Sequence, residues 1–94
     1  MLKERSPAAD PAVLLLGALA WVCADDDRAA RLLALTGLDG DALRARAGEP
    51  AVLGAVGGYL LDHEPDLVAC AADMGCDASV LAAAARHMAG VEQA

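Results

Sequence analysis

The stretch from Asp25 to Leu43 most constrains the fold, because it contains the start, the stop and the restart of a helix within a short span. Asp25 is a strong helix N-cap, and apolar side chains then recur at helical spacing up to Thr36. Gly37 follows, and glycine commonly ends a helix because it adopts the left-handed conformation without strain. Asp39 then caps another helix. The stretch therefore predicts two helices joined by a sharp turn.

The same start and stop signals divide the rest of the chain into further helices. Asp10 and Pro11 start a first helix that runs to about Ala24, since proline is well tolerated at the first helical position. Pro50 opens a fourth helix that reaches about Leu61. The remaining signals start and end a fifth and a sixth helix: Asp62 or His63 with Pro65, then Gly75, Asp77 and Gly90.

The composition favours helices over strands. Alanine and leucine dominate, and the chain has one tryptophan, one tyrosine and no phenylalanine. A chain of 94 residues suits a single domain. We expect an all-α fold, a compact five- to six-helix orthogonal bundle. Residues 10–90 form its single helical domain, residues 1–9 a flexible N-terminal tail and residues 91–94 a frayed C-terminus.

The helix start and stop signals also repeat along the chain. Gly37 and Asp39 recur as Gly75 and Asp77 at the corresponding helix junction. This echo predicts two three-helix units, each with a long apolar helix, an amphipathic helix, a glycine turn and an Asp-capped helix. The alternative is similar punctuation in unrelated helices, because a chain rich in alanine and leucine produces such matches easily.

The net charge and the cysteines limit the cellular compartments and the partners that fit this chain. The net charge of −7 repels phosphate backbones and anionic lipid, so neither nucleic acid nor a membrane is the expected partner. The longest apolar run, residues 13–24, is shorter than the roughly 20 residues that span a bilayer. It is no lipoprotein signal either, because Val22 is too large for the position before Cys23.

Three irregularly spaced cysteines fit a reducing compartment. We expect a cytoplasmic protein, and the arginine and alanine excess suggests a bacterial one.

Residues that carry out catalysis or bind metals do not form a recognisable pattern. Cys70, Cys76 and His87 lack the Cys-x-x-Cys spacing of zinc sites, and Cys70 lies on a predicted core face. His63 has carboxylates around it, namely Asp62, Glu64 and Asp66, but acidic residues are ordinary at a helix start. No glycine-flanked serine and no phosphate-binding glycine loop occur. We therefore expect a protein that is not an enzyme and that uses no cofactor and no metal.

The first and fourth helices are more apolar than a surface helix requires. Trp21 and Tyr59 lie on these helices, and three glycines interrupt the fourth: Gly54, Gly57 and Gly58. Close approach of a neighbouring helix is one explanation for such glycines, and a docked ligand or partner helix is the other. These five residues are the predicted interaction surface of a protein–protein interaction module, whose partner is another protein or a second copy of the chain.

A helix-turn-helix DNA-binding protein is the alternative function. The turn at Gly37 has the right chemistry and length, and Arg44 and Arg46 lie on the helix that would enter the major groove. The first residues of that helix include Asp39 and Asp41, however. Base contacts usually come from this end, and two carboxylates there have the wrong sign for DNA.

Several segments resemble one known family of small bacterial proteins. They are Ala18-Leu19-Ala20-Trp21, Asp25 with Arg28, Arg31 to Leu38, Leu43-Arg44, Leu60-Leu61-Asp62, Glu64-Pro65 and Gly75. Together they resemble domain-of-unknown-function family 3572 over about residues 12–85. The resemblance implies a small all-helical protein with no established activity and no defined site residues. The chain departs from the pattern at Asp26, at Gly57 and Gly58, and at Cys70, and the last two departures suggest a looser core.

Overall fold

The helices account for nearly all of the chain that the structure describes. The computed structural model describes residues 10–93, with side chains described for residues 10–90, so the predicted tail 1–9 and the last residue lie outside the described part. In the described part there are six helices and no strand, which confirms the all-α bundle. The helices are α1 (Pro11–Cys23), α2 (Asp26–Thr36), α3 (Gly40–Ala45), α4 (Pro50–Asp62), α5 (Glu64–Met74) and α6 (Ala78–Gln93).

Aspartate side chains begin the first three helices, as predicted. Asp10 accepts a hydrogen bond from the backbone N–H of Ala12 at 3.0 Å. Asp25 accepts one from Arg28 at 3.0 Å. Asp39 accepts one from the third residue after it at 2.8 Å. Each bond satisfies a backbone donor that has no partner inside its helix, which is why these residues fix where the helices start.

The predicted glycine stops at Gly37 and Gly75 are confirmed, whereas α3, predicted to end at Gly48, already ends at Ala45. Gly37 and Gly75 have φ angles of 72° and 78°, in the left-handed region that glycine enters without strain. Gly90 is different, because α6 continues through it to Gln93. The prediction that Gly90 ends α6 is therefore wrong. Glycine permits a helix to end but does not force it to, and no sharp turn follows Gly90.

The core forms around α4, which packs against α6, α1, α2 and α5. The apolar side chains that recur at helical spacing along α4 are all buried: Val52, Leu53, Val56, Tyr59 and Leu60. Those that recur along α6 are buried in the same way: Leu81, Ala84, Ala85 and Met88. The core thus consists mainly of aliphatic side chains, with Tyr59 as its aromatic member, and α1 adds five more buried residues: Leu14, Leu15, Ala18, Leu19 and Val22.

Gly57 lies where α4 comes closest to α6. A Cβ atom built on Gly57 would lie 2.6 Å from the backbone carbonyl oxygen of Ala85, closer than atoms can pack. A Cβ atom on Gly58 would have no neighbour within 4 Å. Close helix approach therefore explains Gly57, while Gly58 has no such packing role.

The predicted repeat does not extend to the third helix of each half. α3 has 6 residues and contributes only Leu43 to the buried core, whereas α6 has 16 residues and packs along α4 and α1. The order of helices and the two glycine turns are common to both halves. The roles of α3 and α6 in the bundle are not.

The longest described helix, α6, has 16 residues. Among the described helices, none is both long enough and apolar enough to cross a bilayer by itself. α5 and α6 meet those limits only when taken together, across a bend of 115°.

The two neighbouring glycines of α4 give a matched pair of substitutions. We expect Gly57→Ala to lower the free energy of unfolding by about 2 kcal/mol, because the new methyl group forces α4 away from the backbone of α6. Gly58→Ala should raise it by about 1 kcal/mol, because alanine is the better helix former and the site is open. Urea denaturation of both variants measures the difference. Equal effects of the two substitutions would contradict the close approach at Gly57.

Candidate functional site

The structure does not bring the five predicted interaction residues onto one surface. Tyr59 is only 1% exposed, and Gly54 and Gly57 are buried. Trp21 and Gly58 are half-buried. Gly54, Gly57 and Tyr59 therefore cannot be part of an exposed interaction surface, because all three lie inside the bundle. The fourth helix is apolar because it lies at the centre of the core. Its surplus of apolar residues is therefore explained without a partner.

Trp21 is held from two sides by its own chain. Its ring N–H donates a hydrogen bond to the carboxylate of Asp73 at 2.7 Å. The guanidinium carbon of Arg28 lies 3.8 Å from the centre of its ring, a cation–π contact. The polar edge and one face of the indole are therefore occupied, and Trp21 acts as a link between α1, α2 and α5.

Asp66 is the centre of a second set of polar contacts between helices. It accepts a hydrogen bond from the hydroxyl of Tyr59, and the guanidinium nitrogens of Arg28 and Arg31 each lie 3.9 Å from its carboxylate oxygens. Burial, reinforced by the hydrogen bond to Asp66, raises the pKa of Tyr59. The hydroxyl therefore stays protonated at neutral pH and donates to the carboxylate. These contacts join α2, α4 and α5, and their arrangement is structural.

Sequence reasoning missed this role of Asp66. At the start of α5 it has the position of a residue that favours the helix dipole, and that explanation is sufficient without a fold. Arg28 and Arg31 lie one helical turn apart on α2, which gives a basic edge but does not identify the acid that meets it. Only the packing of α2 against α4 and α5 reveals the pairing.

His63 and the cysteines do not form a reactive centre in the described part of the chain. The Nδ1 atom of His63 lies 2.9 Å from the carbonyl oxygen of Tyr59, and the two rings are stacked with centres 4.7 Å apart. No group of three or more His, Cys, Asp or Glu side chains among the described residues is placed to hold a metal ion. Cys70, Cys76 and His87 are therefore not assembled into a site.

The Cys70 thiol has low reactivity in the folded protein. Its side chain is fully buried, and its sulfur lies 3.5 Å from the sulfur of Met74. Burial, followed by the nearby Cys76 thiol and the Asp73 carboxylate, raises the pKa of Cys70 to about 11. Because the thiolate is the form that attacks electrophiles and binds metals, Cys70 is a poor nucleophile and a poor ligand at neutral pH.

An open apolar groove lies between α1, α2 and α3, and we call it the α1–α3 groove. Its volume is about 400 Å³. Its walls are mostly aliphatic: Leu16, Leu19 and Ala20 of α1, Leu33 of α2 and Leu43 of α3. The only charged side chain in its lining is Arg44, which also forms an ion pair with Asp41 at 3.1 Å.

Cys23 lies at the same groove, and it is exposed. Partial burial raises the pKa of the Cys23 thiol, and the positive charge of Arg44 acts in the opposite direction. Sequence reasoning singled out the apolar surplus of α1 but not this groove. Its outer wall is α3, and the sequence gives no measure of how loosely that short helix packs.

The fold and the groove define a small all-helical module. The chain belongs to a family of unknown function, because the family model described as "Protein of unknown function (DUF3572)" matches residues 8–91. This finding confirms the resemblance seen in the sequence. A search of curated proteins found no match, and a search of solved structures found none either.

Removal of the Asp66 carboxylate tests the structural role of its contacts. We expect Asp66→Ala to lower the free energy of unfolding by about 1–3 kcal/mol, because the buried Tyr59 hydroxyl loses its acceptor. In a Tyr59→Phe background the same substitution should cost clearly less, since the buried hydroxyl donor is then absent. Urea denaturation of the four chains of this double-mutant cycle gives the coupling energy. Equal costs in both backgrounds would contradict the Tyr59–Asp66 contact.

The three thiols should differ in reactivity in the native protein. At about pH 8, iodoacetamide should alkylate Cys23 first and Cys70 only after unfolding, because Cys70 is buried and has a pKa of about 11. Mass spectrometry of peptides after a short labelling pulse measures each rate. Labelling in denaturant is the control, where all three should react at similar rates. Native labelling of Cys70 as fast as Cys23 would mean that the core opens readily.

Proposed function

We propose that the protein is a non-enzymatic protein–protein interaction module that binds an apolar helix in the α1–α3 groove. The observation that supports this function is the groove itself, an aliphatic trough of about 400 Å³ that is open to solvent. Exposed apolar surface of this kind commonly marks a binding site. The exposed Leu16, at 41%, lies at its edge and adds to that surface.

A helix is the partner element that fits this site. The groove lies between helices, and an amphipathic helix binds such grooves by placing apolar side chains at spacings of three and four residues. An extended strand would need backbone donors and acceptors along the site. The walls are helices, whose backbone groups are largely hydrogen-bonded internally.

A small molecule fits the groove less well. Ligand pockets hold their ligands with a few polar groups placed inside an apolar cavity. In the lining of the α1–α3 groove, only Cys23 and Arg44 have side chains that carry a polar group. Arg44, which is exposed and paired with Asp41, is the charged residue available at the groove.

DNA binding, the alternative from the sequence, gains no supporting observation. The recognition helix would be α3, which has 6 residues. Arg44 is paired with Asp41 at 3.1 Å, and Arg46 is paired with Glu49 at 2.9 Å. Both arginines are thus already engaged with carboxylates of the same chain.

We also propose a reducing location, the cytoplasm, because Cys23 is an exposed free thiol.

Affinity capture with matched variants tests the proposed function. The tagged chain is expressed in its native cell and captured in three forms: wild type, Leu16→Glu and Val68→Glu. Leu16 lines the groove, whereas Val68 of α5 is 48% exposed and lies outside its lining. We expect Leu16→Glu to lose at least about tenfold of the specific partner signal, because a carboxylate in an apolar contact is costly.

The Val68→Glu variant should retain the partner, since it adds the same charge elsewhere. Thermal unfolding of each variant checks that the fold is kept. If no captured protein depends on Leu16, or if both variants lose the same proteins, the proposed function is wrong.

A further inference from the structure

The third helix, α3, is the least anchored element of the bundle. Among the six described helices, each of the other five packs extensively against at least two more, whereas α3 packs extensively against none. Its one buried side chain is Leu43. Leu38 and Ala47, on either side of α3 in the chain, are half-buried and pack against the same core. One leucine and two flanking apolar residues therefore hold this helix in place.

The polar contacts of α3 are local and do not tie it to the rest of the bundle. Among the described residues, no hydrogen bond or ion pair joins residues 39–47 to a residue outside 39–49. The contacts of Asp66, by contrast, join α2, α4 and α5. The local contacts of α3 are the cap from Asp39 to Ala42 and the ion pairs Arg44–Asp41 and Arg46–Glu49.

Exposed glycines lie on both sides of α3. Gly37 has the left-handed φ of 72°. Gly48 has open space around it, since a Cβ atom built there would meet no atom within 4 Å. A hinge consists of a few such residues at the ends of an element, where the backbone angles can change without a clash. The chain can therefore bend on both sides of α3.

The helical form of α3 and its docking on the bundle depend on each other. α3 has 6 residues, and isolated helices shorter than about 12 residues are marginal in water. When Leu43 leaves the core, the helix therefore loses the contact that keeps it formed. When the helix is lost, Leu43 is no longer directed at the core. Segments with so little buried surface open far more often than the whole domain unfolds.

We propose that residues 39–47 are a lid over the α1–α3 groove, the α3 lid, which opens by local unfolding while the rest of the bundle stays folded. Leu43 and Arg44 of the lid line the groove from its outer side. Opening removes that wall and uncovers Leu19 and Leu33 on the opposite walls. The closed and the open lid thus differ in how much aliphatic surface the groove presents.

The size of the closed groove gives the lid its role. Three turns of helix, about 10 Å across and 16 Å long, occupy roughly 1,200 Å³. The closed groove holds about 400 Å³, so it admits only one edge of a helix. A partner helix then binds the open fraction of the molecules, and the closed lid weakens its apparent affinity. This role rests on the proposed function, whereas the opening itself does not.

Hydrogen exchange of the purified wild-type chain tests the opening without any partner. We expect the backbone amides of α3 to exchange at least about a hundredfold faster than those of α4, because the α4 amides exchange only when the bundle unfolds. Low concentrations of urea should leave the α3 rates nearly unchanged, since a local opening exposes little surface. Exchange of the α3 amides as slow as that of the α4 amides would overturn the lid.

Two buried leucines of α1 provide a matched test that opening uncovers the groove. Leu19 is 6% exposed and lines the groove, whereas Leu15, one turn earlier, is 0% exposed and does not. Each is replaced in turn by cysteine, Leu19→Cys or Leu15→Cys, and labelled with iodoacetamide in the native protein. Both chains also carry Cys23→Ser and Cys76→Ser, so the buried Cys70 is their other thiol.

Loss of the α3 cap should open the lid more often. Asp39→Ala removes the cap without changing a residue that lines the groove. We expect it to speed labelling at position 19 at least about threefold and to leave labelling at position 15 unchanged. Asp10→Ala is the control, because it removes the same kind of capping bond from the far end of α1 and should change neither rate.

The other results separate the lid from the proposed function. If Asp39→Ala speeds labelling at both positions equally, the whole bundle has loosened and there is no separate lid. If it changes neither rate, α3 does not cover the groove. Either result overturns the lid, and Leu16-dependent capture of another protein would still support the proposed function. Lid opening without any such capture would remove the proposed function and leave the lid standing.

Discussion

The close approach of α4 and α6 is the contact on which the rest of the bundle depends. Gly57 has no side chain, so the backbone of Ala85 packs directly against α4. This approach brings the leucine and valine side chains of the two helices into one aliphatic core. Three further helices pack on this pair: α1 and α5 contact both members, and α2 contacts α4. A larger residue at position 57 would move the surface against which α1, α2 and α5 pack.

The local features of the fold could be predicted from the sequence, because each depends on a few adjacent residues. An aspartate cap needs only the backbone donors of the next turn, and the left-handed stops at Gly37 and Gly75 need only glycine. The buried faces of α4 and α6 follow from side-chain spacing. Gly90 shows the limit of this reasoning. Its chemistry permits a stop, but whether a helix ends there depends on where the following chain goes.

The candidate site was predicted much less well, because its features depend on which helices meet. Tyr59 belongs to the core and donates to Asp66, an acid that the sequence explains equally well as helix capping. Trp21 was predicted to belong to an interaction surface, yet its side chain contacts Arg28 of α2 and Asp73 of α5. The apolar surplus of α1 was recognised correctly. What the sequence did not reveal is that α3 packs loosely enough to leave a groove beside it.

The net charge and the uncharged outer face of α1 act together. A charge of −7 keeps copies of the chain apart at random encounters, since like-charged surfaces repel. α1 itself has no charged residue, so an apolar partner loses no charge–solvent contact when it packs against the outer face of this helix. A purely apolar patch on a neutral protein would invite aggregation in many orientations. On this acidic chain the surrounding carboxylates disfavour acidic partners, so the uncharged face of α1 suits an apolar partner best.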